Sequence, residues 1–211
     1  MHISVLGSTG GTGQEIVRQS LAKNYHVTAM ARNPSMLPIS HPNLRVLSGN
    51  VFDKNSIANV IQGTDLVISS VGISGIWKAR KPHEIYSKGT ANIIEALKQT
   101  NIQRFIVVSS GGVEPSPGEP WFFKYLLKPF FLEKMYADMR IMEASIKASN
   151  LDWTIVRPPY LTNGTLKKQY RLSRGKNFID DKDLSRSDLA HFIVEEITRK
   201  EFLRDIVAIS Y

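Results

Sequence analysis

The residues best suited to chemistry stand near the start of the chain, in "VLGSTGGTGQEIV". Gly7, Gly10 and Gly13 recur every third residue and Gly11 adds a fourth, with Ser8, Thr9 and Thr12 between them. Glycine is costly to order, so a cluster marks a backbone that turns sharply or approaches something closely. An apolar run precedes it and a helix-like run follows. In such a strand–turn–helix unit, the unpaired N–H groups and partial positive charge of the helix N-terminus would cradle a pyrophosphate. A plain strand-to-helix turn is the simpler alternative. The spacing is G-x-x-G-x-x-G, not G-x-G-x-x-G. A second apolar run ends in Ala31-Arg32-Asn33, and no acidic residue occurs between Glu15 and Asp53. Sites for NAD usually place an Asp or Glu there, on the ribose 2′-hydroxyl. The Arg32 guanidinium can instead grip a 2′-phosphate with paired hydrogen bonds. This predicts NADP as cofactor, with NADPH preferred over NADH.

Groups so placed need a sheet to hold them. "HISVL", "HVTAMA", "LRVLSG", "DLVISSVG", "RFIVVSSGG" and "DWTIVRPP" read as strands, and "DIVAISY" as a last strand at the edge. Helical patterns fall between them, at "TGQEIVRQSLAKN" (stopped by Asn24), "SIANVIQG", "PHEIYSKGTANIIEALKQTN", and around 131–149 and 187–199. Strands alternate with helices, and the central strands are apolar on both faces. That pattern calls for an α/β fold with a doubly wound parallel sheet, the Rossmann arrangement, covered on each side. In that order the ends of the first and fourth strands flank a crevice, and the glycines sit at it. The expectation is one domain over residues 1–211 with a small lid insert at about 113–135. The insert contains "VEPSPGEPWFFKYLLKPF", rich in proline and aromatics.

Composition excludes several classes. The 211 residues contain no cysteine, so disulfides, thiolate catalysis and thiolate metal sites are absent. His2, His26, His41, His83 and His191 show no ligand spacing, and no metal is expected. No apolar run is long enough to span a bilayer, and Met1 leads directly into "HISVLG", so a cytoplasmic protein is expected. The net charge of +8 admits nucleic acid, an anionic membrane or an anionic small molecule. The densest basic stretch, "LKKQYRLSRGK", reads as a solvated loop or hairpin, and no nucleic-acid-binding signature accompanies it.

"GSTGGTG", "ARNPS", "GNVFD", "KGTANIIEAL", "VVSSGG", "LDWTIVRPP" and "SRSDLAHFI" occur in this order. Together they resemble the atypical short-chain dehydrogenases/reductases, in the NAD(P)H-binding branch of biliverdin-IXβ reductase (flavin reductase) and the NmrA-like proteins. The resemblance spans essentially the whole chain. It implies that the loop from Gly7 to Gly13 holds the pyrophosphate and that Arg32 meets the 2′-phosphate. Asn50 and Val51, in "GNVFD", would border the adenine, with Asn50 where the family usually has Asp. Ser69, Ser70, Val71 and Gly72 would line the ribose. Ser109, Pro158, Pro159 and Tyr160 would stand beside the nicotinamide. Tyr160 takes the place of a histidine in biliverdin reductase, so that proton-handling arrangement is not carried over.

The Tyr-x-x-x-Lys pair of short-chain dehydrogenases, in which lysine lowers the tyrosine pKa, has no match in the expected region. Tyr136 and Arg140 have the spacing, followed by Glu143, but arginine stays charged and cannot relay a proton. Tyr136 is either catalytic or a helix residue packing the lid. Ser110 resembles the branch's serine beside nicotinamide and substrate. Its hydroxyl would orient the acceptor or relay a proton, unless it satisfies backbone groups at a strand end. The aromatic insert reads as a hydrophobic lid over the nicotinamide, suited to a flat acceptor, or as a membrane-surface element. The expected function is an NADPH-dependent reductase of a flavin or quinone, acting as a monomer or weak dimer. The alternative is an NADP(H)-binding redox sensor of NmrA-like type.

Overall fold

Strand β1 (His2–Leu6) turns Ile3 and Val5 to one face of the sheet and Leu6 to the other, and all three are fully buried. Such two-sided burial is what a central parallel strand requires. The computed structural model describes residues 1–73, 75, 79, 81, 84–114 and 121–211. The parallel strands β2 (His26–Ala31), β3 (Leu44–Ser48), β4 (Leu66–Ser69), β5 (Arg104–Val108) and β6 (Asp152–Arg157) surround β1 in the order β3-β2-β1-β4-β5-β6. Successive strands are added in one direction from β1 to β3 and in the other from β4 to β6, which places the topological switch point between β1 and β4. The short strands β7 (Leu161–Thr162) and β9 (Leu184–Ser185) pair separately, while β8 (Arg171–Arg174) and β10 (Asp205–Ser210) extend the main sheet.

Two cores lie on opposite faces. Helices α1 (Gly11–Ala22) and α5 (Arg186–Arg199) cover one through Ile16, Val17, Leu189 and Ile193. On the other, α2 (Lys54–Ile61), α3 (Ser87–Lys98) and α4 (Glu133–Lys147) contribute Ile57, Ile93, Met142 and Ile146. Asn24 ends α1 with φ of 60°, the left-handed conformation asparagine tolerates.

Three expectations change. Strand β10 is not at the edge: it pairs parallel to β6 and antiparallel to β8. Its apolar residues Val207, Ala208 and Ile209 are buried and need cover on both sides. The edge passes to β8, in the basic stretch, where Arg171 pairs with Asp180 and Arg174 with Asp205. Charged side chains on an edge strand discourage pairing with another chain. Helix α3 begins at Ser87, later than its apolar pattern suggests. There the Asp138 carboxylate, from α4, accepts hydrogen bonds from the Tyr86 and Ser87 N–H groups at 2.9 and 3.3 Å. In the insert, Phe123–Leu132 winds as a π-helical segment into α4, its wide turns accommodating Pro129. Trp121, Phe122, Tyr125, Leu126 and Phe130 are exposed. Residues 115–120 of the insert and His83 lie outside the described residues.

Asp188, fully buried in the first turn of α5, ties the C-terminal segments together. Its carboxylate accepts from Tyr211 Oη at 2.6 Å, Ser185 Oγ at 2.7 Å and the Lys168 and Lys167 N–H groups at 2.6 and 3.1 Å. Burial opposes ionisation, but the hydrogen bonds from Tyr211, Ser185 and the backbone prevail and hold its pKa below the usual carboxylate value. A depressed folded-state pKa adds stability above the unfolded value, lost as pH falls through the folded one. Asp188→Asn is therefore expected to lower stability at neutral pH by about 1–3 kcal/mol. Thermal melts should show the gap from wild type closing on acidification, and a gap independent of pH would refute this.

Candidate active site

The glycine loop forms one wall of a crevice of about 460 Å³ at the carboxyl ends of β1, β2 and β4. Gly7 has φ of 81°, and a Cβ there would lie 2.7 Å from the Ser70 carbonyl. A Cβ on Gly13 would fall 2.2 Å from the Gly7 carbonyl oxygen, so this glycine lets α1 close onto the loop. Gly10 differs, since its Cβ would meet only the Gly7 oxygen, at 3.4 Å, and it lines the crevice. Ser8 is buried and donates to the Met30 carbonyl at 2.8 Å, bracing the loop. Helix α1 has no side-chain cap and no acid in its first turn. By contrast Asp53 caps α2 and Ser185 caps α5. The first N–H groups of α1 lack intrahelical acceptors, so an uncapped positive end faces the crevice.

Arg32 follows β2 on the crevice rim, exposed, and makes no hydrogen bond or ion pair with the described residues. Asn50, Val51, Ser70, Val71 and Gly72 also line the crevice. Asn50 Oδ1 accepts from the Phe52 N–H at 3.1 Å, which leaves its amide nitrogen to donate outward. Ser70 Oγ donates to the Leu6 carbonyl at 3.2 Å. Ser69 is the departure from expectation: it is buried beneath the crevice beside Thr90 and Ile93. Strand alternation explains this, because Ser69 and Ser70 point to opposite faces.

Past Tyr86 and Ser109 the crevice opens into a cleft of about 740 Å³. Ser110, Pro158, Pro159 and Tyr160 line it, and Phe122, Leu132, Met135 and Tyr136 supply an apolar wall. Ser110 Oγ accepts from the Gly112 N–H at 3.3 Å while facing the cleft, so both readings of this serine have a geometric basis. Ser109 Oγ donates to Glu143 Oε1 at 2.7 Å, and Glu143 takes Nε and Nη2 of Arg157 at 2.9 and 2.5 Å. Burial works against the Arg157 charge, yet hydrogen bonds to Glu143 and Glu114 hold its pKa above the usual arginine value. This buried pair fastens the carboxyl ends of β5 and β6, from which Ser110 and Pro158 project.

Tyr136 is buried, with its hydroxyl oxygen 2.3 Å from where a Gly112 Cβ would stand. Arg140 does not serve it. That guanidinium donates to the Val113 carbonyl at 3.3 Å and pairs with Glu133. Two residues given no role from sequence, Tyr86 and Arg186, line both cavities. Tyr86 Oη accepts from the Ile73 N–H at 3.1 Å, and burial raises its pKa. Arg186 lies in "SRSDLAHFI", but nothing in that string signals contact with a loop some 170 residues earlier. Among the described residues no three His, Asp or Glu side chains gather as a metal site, and no helix is long and apolar enough to cross a membrane.

A family model described as NAD(P)H-binding matches residues 7–200. An uncharacterised Bacillus subtilis protein named as a sugar epimerase, YhfK, is 30% identical, covering 95% of this chain and 89% of its own. A Veillonella parvula short-chain dehydrogenase/reductase solved with NADP superposes with a TM-score of 0.82 at 23% identity, covering 100% of this chain and 94% of that one. A candidate NADH-flavin reductase from Streptococcus pneumoniae gives 0.75 at 21%, covering 100% and 99%. These two solved structures share the fold.

Proposed function

The chain belongs to the NAD(P)H-binding family, and from that premise we propose that it is an NADPH-dependent reductase passing hydride to a flat acceptor such as a flavin or quinone. The observation that carries this reading is the continuity of two different cavities. A crevice with an uncapped helix N-terminus and an unpaired Arg32 opens into a cleft walled by Phe122, Leu132, Met135 and Tyr136. The residues fit a nicotinamide dinucleotide. Gly10 leaves free the space a Cβ would fill, and among the described residues no carboxylate lines the crevice beside Arg32 to repel a 2′-phosphate.

When bound, the reduced nicotinamide supplies the hydride. The protein's share is binding, alignment and exclusion of water. The Gly10–Thr12 stretch and the start of α1 would hold the pyrophosphate, Arg32 the 2′-phosphate, and Asn50 and Val51 the adenine side. Ser70, Val71 and Gly72 would line the ribose, and Ser109, Pro158, Pro159 and Tyr160 would border the nicotinamide. Tyr136 would form the wall against which a planar ring packs. Ser110 would hydrogen-bond the acceptor, since its O–H stays free to donate while its oxygen accepts from Gly112. Ser110→Ala is expected to lower turnover about tenfold, one hydrogen bond's worth of barrier, with NADPH affinity nearly unchanged. Unchanged turnover with every active acceptor would return Ser110 to a strand-end role.

A second reading, a nucleotide-binding redox sensor, has one observation in its favour. Arg140 is committed to Glu133 and Val113, so the Tyr136–Arg140 pair that the spacing offers is not formed. NADPH oxidation measured in parallel with FMN, a quinone and biliverdin separates the two. Oxidation with FMN or the quinone is expected. Tight NADPH binding with no oxidation by any acceptor would favour the sensor.

A further inference from the structure

Arg186 carries its charge where the described residues provide no ion-pair partner. It is the first residue of α5, directly after the cap Ser185, so it adds a cation to the positive end of its own helix. The acid of that turn, Asp188, is turned to Ser185, Tyr211 and the Lys167 and Lys168 backbone. The Arg186 side chain crosses to the glycine loop, with Cδ 2.7 Å and Nε 3.0 Å from where a Gly11 Cβ would stand. A second helix N-terminus, that of α1, uncapped and without an acid, therefore meets the same guanidinium. Cations are disfavoured at helix N-termini, and here two such ends converge on one arginine. Its hydrogen-bond partner is neutral: Nη1 donates to Asn163 Oδ1 at 2.7 Å, and no carboxylate among the described residues pairs with it. Arg186 lines the crevice and the cleft alike, at their junction.

We propose that Arg186 is an anion clamp that closes over the pyrophosphate of the bound dinucleotide, an inference that rests on the nucleotide reading above. An anion between the α1 N-terminus and the guanidinium relieves the repulsion of like charges, and the planar fork suits phosphate oxygens. Asn163 holds the fork in place meanwhile. Gly11 then has its own reason: any side chain there would displace the clamp. The two arginines divide the work. Arg32 reads the 2′-phosphate, which only NADPH has, and Arg186 reads the diphosphate that NADPH and NADH share.

The test titrates wild type, Arg186→Gln and Arg186→Lys with NADPH, NADH and adenosine 2′-monophosphate, which has the 2′-phosphate and no pyrophosphate. Circular dichroism checks folding. Arg186→Gln is expected to weaken both dinucleotides by the same factor, about tenfold or more, and to leave adenosine 2′-monophosphate unchanged. Arg186→Lys should fall between, keeping the charge without the fork. If Arg186→Gln does not fold, Arg186→Lys decides, with the same pattern at smaller size. Unchanged dinucleotide affinity, loss confined to NADPH, or equal loss of adenosine 2′-monophosphate would each overturn the clamp and leave the nucleotide reading standing. A wild type that binds neither dinucleotide would overturn the nucleotide reading, and the clamp with it.

Discussion

Gly10→Val is expected to abolish NADPH binding while the protein stays folded. Gly10 has φ of −72° and ψ of 156°, an extended conformation open to any residue, and its Cβ would meet only the Gly7 oxygen at 3.4 Å. The backbone therefore accepts valine, at a cost of about 1 kcal/mol for a poorer residue at the cap position. The branched side chain would stand in front of the α1 N-terminus, where the pyrophosphate must come within hydrogen-bond distance. Gly13→Val is the contrasting case, because its Cβ would collide with the Gly7 carbonyl oxygen at 2.2 Å and the fold itself would fail. Circular dichroism with a fluorescence titration of NADPH reads both outcomes. A Gly10→Val protein that binds NADPH normally, or that simply unfolds, would remove the phosphate-cradle account.

Arg32→Glu is expected to reverse the cofactor preference. Arg32 is exposed at the crevice rim, with no ion pair among the described residues to disturb, so its replacement should cost little stability. Losing a charge-assisted grip on the 2′-phosphate, and placing a carboxylate there, should weaken NADPH about a hundredfold or more. NADH should be little affected, since glutamate at this position can accept from a ribose 2′-hydroxyl. Titrations with both cofactors at one ionic strength decide the matter, because exposed charges are screened by salt. Equal weakening of both would show that Arg32 does not read the 2′-phosphate.

Much of this frame was legible because it depends on local pattern. Alternating strands and helices, doubly apolar central strands and a glycine loop at the first turn predicted the sheet and its crevice. The parts that were hidden depend on distant partners. Nothing near Ser87 shows that Asp138 starts helix α3, and nothing near Arg140 shows that Glu133 takes its guanidinium away from Tyr136. Ser69 and Ser70 look equivalent in "DLVISSVG", and only their opposite faces separate a core serine from a crevice one. The position of β10 is hidden because its apolar run gives no hint that the basic stretch ahead of it forms the edge. Arg186 was invisible as a crevice residue, since its approach to Gly11 exists only after α5 docks on α1.

The central claim is that the nicotinamide and a flat acceptor meet in the cleft and that hydride passes there. Its most direct test is single-turnover oxidation of NADPH by FMN or a quinone, with deuterium on one or the other face of the nicotinamide C4. A cleft that holds the ring in one orientation predicts rapid oxidation, slowed by deuterium on one face and unaffected by deuterium on the other. Equal slowing from both faces, or bound NADPH that no acceptor oxidises, would contradict it.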